Sequence, residues 1–206
     1  SNFHLGHELS FFVSLERNHW KIFQEVSPIL SSDKISSVNE SHYGQGFFVR
    51  YKYHSLIYGG FGFFLGSTFG GVYDKNRYGE SSFKPGSGIF FPTILAGLEH
   101  NFSPVFRIYS GIEYGVVWYP KMVILTGSGR TMKLAAVPDL YSFHFGADYF
   151  INENTSLGLL VGYRKILNPC LSSCKNDTYV NNINALNLNN EVIFGQIGAS
   201  VNLSDF

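Results

Sequence analysis

The stretch formed by residues 141–164 constrains the fold more than any other part of the chain. Its sequence, YSFHFGADYFINENTSLGLLVGYR, contains two segments in which large apolar residues alternate with small or polar ones. Since successive side chains of a strand point to opposite faces, each segment has one large apolar face and one small or polar face. The intervening residues 151–154 read Ile-Asn-Glu-Asn, and asparagine is favoured in tight turns. The stretch therefore predicts a β-hairpin.

The same alternation recurs along the chain and gives eight predicted strands. They cover residues 8–17, 43–53, 57–70, 88–100, 105–119, 141–150, 156–164 and 191–203. In the fourth strand the pattern places Phe90, Pro92 and Ile94 on one apolar face. Because proline cannot donate to the ladder, we expect a bulge or weak point at Pro92. The fold class is therefore all-β, in a single domain covering residues 1–206.

The connections between these strands alternate strictly between long and short. The short ones are residues 54–56, 101–104 and 151–154, and the long ones are residues 18–42, 71–87, 120–134 and 165–190. An antiparallel up-and-down meander places all short connections at one end and all long ones at the other. Outer-membrane barrels have this asymmetry, with short periplasmic turns and longer extracellular loops. Within residues 18–42, Trp20, Phe23 and Leu30 form an amphipathic element or belong to a loosely packed loop.

Composition indicates which face of the strands is outside. Aromatic residues make up 17% of the chain and charged residues only 15%, against about 25% in ordinary soluble domains. No apolar run reaches the roughly eighteen residues that a spanning helix needs. The apolar side chains of all eight strands would not fit inside an eight-stranded barrel, whose interior is only wide enough for side chains. The sequence therefore predicts an eight-stranded antiparallel up-and-down transmembrane β-barrel with four long extracellular loops and three short periplasmic turns. A soluble barrel or sandwich with its aromatic face inward is the alternative.

The opposite face of the strands carries five acidic and four basic residues. They are Glu8, Glu16, Arg50, Lys52, Glu99, Arg107, Glu113, Asp148 and Arg164. Unpaired charges inside a barrel would be costly, so we predict a lumen charge network of interdigitated ion pairs. A lumen plugged in this way is not that of an open general porin.

Aromatic residues lie near both ends of the predicted strands. Those near the long-loop ends are Tyr43, Trp118, Tyr119, Tyr141 and Tyr163, and those near the short-turn ends are Tyr51, Tyr53, Phe102 and Tyr149. Aromatic side chains are favoured in the headgroup regions on both sides of a membrane. The sequence therefore predicts two aromatic belts.

In strand and loop plan the chain resembles the small eight-stranded outer-membrane barrels, such as the transmembrane domain of outer membrane protein A, outer membrane protein X and the opacity-type adhesins. The stretch GADYFINENTSLGLLVGYR is similar to the penultimate hairpin of that superfamily, and Phe206 matches its terminal aromatic residue. The resemblance implies a bacterial outer-membrane location with both termini periplasmic. It also implies contact with outer-membrane lipid and lipopolysaccharide, and a structural or adhesin-like role in which the long loops bind a surface ligand such as a host or prey factor.

Three residues offer a possible catalytic site. Some barrels of this class remodel lipid A with histidine, serine and an acid on the barrel wall, and Ser142, His144 and Asp148 share a face here. However, that face points into the lumen, and the His-x-Ser order of the deacylase family is reversed. We expect no enzymatic activity, with His144 a hydrogen-bonded lumen residue. The alternatives are a lipid A-modifying hydrolase and a narrow channel for small or apolar solutes.

The remaining motifs predict no cofactor and no metal site. Cys170 and Cys174 lie in the fourth long loop, where an oxidising envelope favours a disulfide over free thiols or a metal pair. His4 and His7 are read as a chance pair. A formal net charge of zero gives no basic footprint for nucleic acid.

Overall fold

The computed structural model describes residues 6–24, 37–75, 83–125, 131–169 and 186–203. In this part of the chain the strands are β1 Gly6–Gln24, β2 Val38–Tyr58, β3 Phe61–Lys75, β4 Phe83–Lys84, β5 Ser87–Phe90, β6 Ile94–Ser103, β7 Phe106–Leu125, β8 Thr131–Ala136, β9 Asp139–Phe150, β10 Thr155–Pro169 and β11 Leu186–Asn202. Among these residues, no helix is long and apolar enough to cross a membrane.

The strands pair antiparallel and close into a ring. From β1 the order runs through β2 and β3 to β5 and β6, which share one place, and then through β7, β9 and β10 to β11. β11 pairs back with β1, which closes the ring. β4 and β8 pair with the far end of β7. The predicted eight-stranded up-and-down barrel is confirmed.

The pairing register sets the tilt and width of the barrel. Starting from Glu8, the pairing can be followed from each strand to the next around the ring. The successive paired residues are Lys52, Gly66, Leu95, Glu113, Ser142, Arg164 and Val192. Val192 pairs with Asn18, so the path returns to β1 ten residues beyond Glu8. In a ring of eight strands such a stagger tilts the strands by about 40° and leaves an interior that side chains can fill.

The two ends of the barrel differ as predicted, with errors in two of the turns. The connection after β2 turns at Gly59 and Gly60, which both have positive φ, so the turn predicted at residues 54–56 is wrong. Pairing with β3 continues through those residues, because glycine, which adopts positive φ at little cost, comes only later. The turn predicted at residues 101–104 lies instead at residues 104–105, since β6 continues to Ser103, and the turn at residues 151–154 is confirmed. Both described chain ends lie at this lower end, where Leu203 N–H donates to the His7 carbonyl.

The predicted weak point at Pro92 separates β5 from β6 and shifts the alternation. Phe90 is buried, Phe91 and Pro92 both face outward, and Ile94 is 71% exposed. The prediction that Phe90 and Ile94 share the outer face is therefore wrong. Two consecutive outward residues change the phase of the pattern, as expected at an interruption of the ladder.

The long connections are shorter than predicted because the strands continue into them. β1 runs to Gln24 and β2 begins at Val38, so much of residues 18–42 is a paired hairpin. β7 likewise continues to Leu125 against β8, and β10 to Pro169 against β11. Neither the loose loop nor the separate amphipathic element predicted around Trp20 is correct, since Trp20 lies within β1.

The alternation of β1 reverses between the lower and the upper part of the barrel. On β1, Leu15 faces outward and is 66% exposed, whereas Glu16 is buried inside. Further along the same strand Lys21 faces outward, and Trp20 and Ile22 are buried inside. The lower part is apolar outside and largely polar inside, and the upper part has the opposite arrangement.

Candidate functional site

The inner face of the barrel carries all nine charged residues predicted for the lumen. Each of them is at most 5% exposed: Glu8, Glu16, Arg50, Lys52, Glu99, Arg107, Glu113, Asp148 and Arg164. They are held there because they alternate with outward apolar residues on six strands of the ring. The structure brings seven of them into ion pairs, in two separate groups.

The first group, the lower charge cluster, consists of Glu8, Lys52, His54, Glu99, Arg107 and Asp148. Its centre is the Arg107 guanidinium, whose Nε and Nη2 donate to Asp148 Oδ2 at 3.0 and 2.6 Å. Nη2 also contacts Glu8 Oε2, and Nη1 lies 3.7 Å from Glu99 Oε2. Lys52 Nζ is 2.7 Å from the second oxygen of Glu8. One guanidinium therefore connects acids from three different strands.

His54 completes this cluster and was not among the predicted residues. Its Nδ1 lies 2.6 Å from Glu99 Oε2, and its Nε2 lies 3.4 Å from Glu8 Oε2. The cluster contains three carboxylates and two permanent cations, and the two ring nitrogens of His54 lie against two of the carboxylates. Spacing in the sequence could have predicted its inward position, because His54 continues the inward series of Arg50 and Lys52 on β2.

The second group is an ion pair enclosed by aromatic rings. Arg164 Nη1 donates to Glu16 Oε1 at 2.9 Å. The guanidinium carbon also lies 4.5 Å from the ring centre of Phe194, 4.6 Å from that of Phe90 and 5.3 Å from that of Phe48. Cation–π contacts of this kind are strongest when desolvated. We call this group the caged arginine.

Arg50 and Glu113 do not join either group. Arg50 Nε donates to Thr68 Oγ1 at 3.1 Å, and its guanidinium lies 5.3 Å from the Phe12 ring centre. Glu113 Oε1 accepts from Thr93 Oγ1 at 2.6 Å. Neither forms an ion pair with another described residue, which departs from the interdigitated pairing expected from the sequence.

The three candidate catalytic residues are all buried on the inner face of β9, but no hydrogen bond connects them in the described structure. Asp148 is held by Arg107, on the far side of His144 from Ser142. Both ring nitrogens of His144 and the Ser142 hydroxyl have no hydrogen-bond partner among the described residues. The geometry does not assemble a nucleophile, base and acid, and the expected hydrogen bonding of His144 is absent from the described contacts.

Eight of the nine predicted belt residues face outward: Tyr43, Tyr51, Tyr53, Phe102, Trp118, Tyr141, Tyr149 and Tyr163. Tyr43 and Tyr53 lie at opposite ends of this band on β2, a separation of about 25 Å along the barrel axis. That height matches the apolar band of outer-membrane barrels. Tyr119 is wrong as a belt residue, because its neighbour Trp118 faces outward and Tyr119 therefore faces inward, 1% exposed.

Above this band the buried side chains of the described barrel interior are largely apolar. We call this region the upper core, and its buried residues are Trp20, Ile22, Val38, Phe83, Tyr119, Met122, Ile124 and Leu188. The Trp20 ring packs edge-on against Phe83 and Tyr119, with centroid distances of 5.1 and 5.4 Å. Phe83 comes from the short strand β4, which covers the end of β7.

Asp74 forms the polar floor of the upper core. It lies one residue beyond Tyr73, the last outward aromatic residue of β3, and accepts from Trp20 Nε1 at 3.1 Å and Asn18 Nδ2 at 2.8 Å. Burial raises its pKa from an ordinary carboxyl value to about 7, the negative charge of Glu16 raises it further, and the Trp20 hydrogen bond opposes both. Asp74 therefore titrates near neutral pH.

The described part of the chain contains no group of three or more histidine, cysteine or acidic side chains placed to hold a metal ion. Several sequence predictions fall on other residues. His4, Leu30, Cys170, Cys174 and Phe206 lie outside the described residues.

Comparison with known proteins gives similarity of fold. No family model matches the chain, and no curated protein matches it significantly. Among solved structures, the outer membrane protease OmpT from Escherichia coli covers 98% of this chain and 98% of its own, with a TM-score of 0.54 and 8% identity. Neisserial surface protein A matches 94% of this chain and 97% of its own (TM-score 0.43, 15% identity), and Ail of Yersinia pestis matches 96% and 98% (TM-score 0.44, 13% identity). The predicted resemblance to outer-membrane barrels is confirmed at the level of fold.

Proposed function

We propose that the protein is an integral barrel of the bacterial outer membrane that serves envelope structure or surface binding through its long hairpins. The observation that carries this proposal is the reversal of alternation along the strands. From Leu9 to Leu15 the outward side chains of β1 are apolar, and from Arg17 to Lys21 they are polar. A wall with this pattern is stable when lipid surrounds its lower part and water surrounds its upper part.

Orientation follows from the same pattern. Outer-membrane barrels have short periplasmic turns and long extracellular segments. In this orientation the turns at residues 59–60, 104–105 and 151–154 lie in the periplasm, together with both described chain ends. The upper core then lies outside the cell, above the membrane.

Filling of the lumen supports a structural or binding role over transport. From bottom to top, the lower charge cluster, the caged arginine and the upper core occupy the interior in succession. Charged groups in a low-dielectric interior hold one another strongly, and removing one partner is costly. An interior filled with side chains in this way disfavours a channel.

The upper core gives the surface-binding version its physical basis. Strands β1 and β2, β7 and β8, and β10 and β11 continue past the membrane band as paired hairpins around a packed interior. Binding residues are commonly displayed on loops that a rigid scaffold positions. The two strands of each hairpin are joined by residues 25–36, 126–130 and 170–185, respectively. These segments would carry the contacts to a surface ligand.

Three measurements test this proposal. The purified protein should insert into lipid vesicles, shown by a folded, heat-modifiable band on electrophoresis, and should give no steady conductance in a planar bilayer. Cells with the wild-type protein should bind a panel of immobilised host-matrix proteins and glycans more strongly than cells without it. Replacing residues 170–185 by a Gly-Ser linker should reduce that binding while insertion is retained. Stable monomeric behaviour without detergent, or a steady conductance, would overturn the proposal.

A further inference from the structure

Three buried side chains in the middle of the barrel carry polar atoms without a hydrogen-bond partner among the described residues. They belong to Arg50 on β2, His144 on β9 and Gln196 on β11, and each residue is at most 3% exposed. The atoms are Nη1 of Arg50, both ring nitrogens of His144, and the nitrogen and oxygen of the Gln196 amide. We propose that this group, called here the mid-lumen site, binds one small monovalent anion of the size of chloride. Such a site is separate from the surface-binding role proposed above.

The register places the three side chains of the mid-lumen site in one layer. The pairing path that starts at Glu8 climbs ten residues in one circuit of the ring. Along the barrel axis, Arg50, His144 and Gln196 therefore lie about three, four and five residues above Glu8. With a strand tilt of about 40°, the layer is about 4 Å thick. In a barrel of this width, inward side chains from different sides of the wall meet near the axis.

The electrostatic field in this layer is positive. The charges that act most strongly on His144 are those of three cations, Arg50, Lys52 and Arg164. Lys52 and Arg164 are each paired with a glutamate. Arg50 donates through Nε to Thr68 Oγ1 and forms no ion pair with any residue that the structure describes. Because a buried charge is stable only when it is paired, an anion beside Arg50 would supply the missing counter-charge.

Glu113 is the acidic residue of the same layer, and its carboxylate is held away from Arg50. Its Oε1 accepts from Thr93 Oγ1 at 2.6 Å. The same threonine oxygen accepts from the Thr68 backbone N–H at 3.0 Å, which fixes it against the wall at β3. Glu113 is also absent from the charges that act most strongly on His144. The positive part of the layer is therefore the part that contains Arg50 and His144.

The three side chains offer the donors that an anion requires. Arg50 can donate a charge-assisted hydrogen bond through Nη1, an imidazole ring always carries at least one N–H, and the Gln196 amide carries two. Buried polar groups nearly always have a partner, either protein or ordered solvent. Water would satisfy these donors but would leave the charge of Arg50 without a counter-charge. Phe12 and Leu160 occupy neighbouring inward positions, which restricts the ligand to a small ion.

Bromide tests the site because it is close to chloride in size and can be located by anomalous X-ray scattering. Crystals of wild type, R50Q, Q196L and K84Q are grown with sodium bromide. Lys84 is an exposed cation on β4, so K84Q controls for the loss of a positive charge elsewhere. In vesicles, the midpoint of thermal unfolding is measured at increasing chloride concentration, with sodium gluconate keeping the ionic strength constant. Heat-modifiable mobility on electrophoresis verifies that each variant is folded and inserted.

We expect bromide within hydrogen-bond distance of Arg50 and His144 in wild type and K84Q, and no bromide there in R50Q. The unfolding midpoint of wild type should rise by about 5 °C over a hundredfold increase in chloride concentration. R50Q should not respond to chloride, and Q196L should need about tenfold more chloride for the same rise.

Three results would overturn the mid-lumen site while leaving the membrane location intact. The first is a wild-type lumen without bromide. The second is bromide density without a chloride response in vesicles, which would mean binding at crystal concentration only. The third is an equal response to chloride in wild type and R50Q. If R50Q does not insert, Q196L decides, and an unchanged chloride dependence in that variant would overturn the site.

Discussion

The two ends of the barrel interior are filled by side chains of opposite chemistry, charged at one end and aromatic at the other. At the lower end, Arg107 holds three acids in a cluster buried inside a wall with an apolar exterior. At the upper end, Trp20 packs against aromatic rings inside a wall with a polar exterior. Both interiors are equally buried, since Arg107 and Trp20 are each 0% exposed.

On the proposed membrane location, the surrounding medium, and not burial itself, sets the chemistry of each wall. In lipid, the outward positions must be apolar, so polar residues are left for the inside, where they are stable only when paired. In water, outward positions are polar and the apolar residues move inside, as in a soluble domain. The change occurs within a few residues of β1, between Leu15 and Lys21, without any break in its pairing.

The largest expected effect is at the lower end. Arg107→Met should destabilise the barrel by about 3–5 kcal/mol, because it leaves Glu8, Glu99 and Asp148 buried without their shared cation. Urea unfolding in vesicles, followed by tryptophan fluorescence, measures this loss. Lys121→Met on the exposed upper wall is the control and should change stability little. A loss below about 1 kcal/mol for Arg107→Met would show that the cluster does not hold the lower end together.

At the upper end, Trp20→Ala should cost about 3 kcal/mol, because it leaves a cavity in the upper core. The loss of stability should stay local. Hydrogen exchange should therefore accelerate in residues 18–24 and 119–125, while the part of β9 in the apolar band remains protected. Trp118→Ala, which removes an outward aromatic ring, serves as the control. Faster exchange throughout β9 would mean that the two ends unfold as one cooperative unit, which would contradict local unfolding of the upper core.

Asp74 makes the stability of the upper end of the barrel depend on pH. Its pKa is raised to about 7 in the folded protein, first by burial. The folded state therefore holds a proton that the unfolded state releases, so this contribution is complete at low pH and is lost as pH rises through about 7. Between pH 6 and 8 the upper core should lose about 1 kcal/mol. Trypsin cleavage of the upper hairpins should be faster at pH 8, corrected for the activity of trypsin itself, and Asp74→Asn should flatten the difference. A persistent difference in D74N would assign it to other groups.

The smallest expected effect is at the candidate catalytic residues between the two ends. Ser142→Ala removes a hydroxyl that has no hydrogen-bond partner in the described structure, so stability should change by less than about 0.5 kcal/mol. The lipid A mass spectrum of cells carrying the variant should equal that of cells with the wild type. A difference in lipid A acylation would instead support the hydrolase alternative.

On the proposed membrane location, the lower part of the barrel could be predicted because lipid imposes a strict rule on each strand. Outward residues such as Val13 and Leu15 must be apolar, so the alternation is visible in the sequence and places Glu16 inside without further information. The charged residues of the lumen follow from this rule. Their partners do not, because which acid meets Arg107 depends on the stagger of the ring, and strand patterns alone leave the stagger open.

The upper part was missed because the rule reverses there. Residues 18–24 still alternate, with Trp20 and Ile22 on one face, but the apolar face now points inward and the strand reads as a polar loop. The errors at Phe90 and Tyr119 have local causes. An interruption at Pro92 changes the phase of one strand, and nearness to a strand end, which predicted Tyr119 as a belt residue, does not determine which face its side chain is on.

The most direct test of the reversal is the environment of successive outward positions on β1. Single cysteines at positions 13, 15, 17, 19 and 21, in a background with Cys170 and Cys174 replaced by serine, can carry a nitroxide in vesicle-inserted protein. Collision rates with oxygen, which concentrates in lipid, should exceed those with a water-soluble nickel chelate at 13 and 15, and the ratio should invert by 19 and 21. Equal access of the nickel chelate to all five positions would contradict a lipid-embedded lower wall.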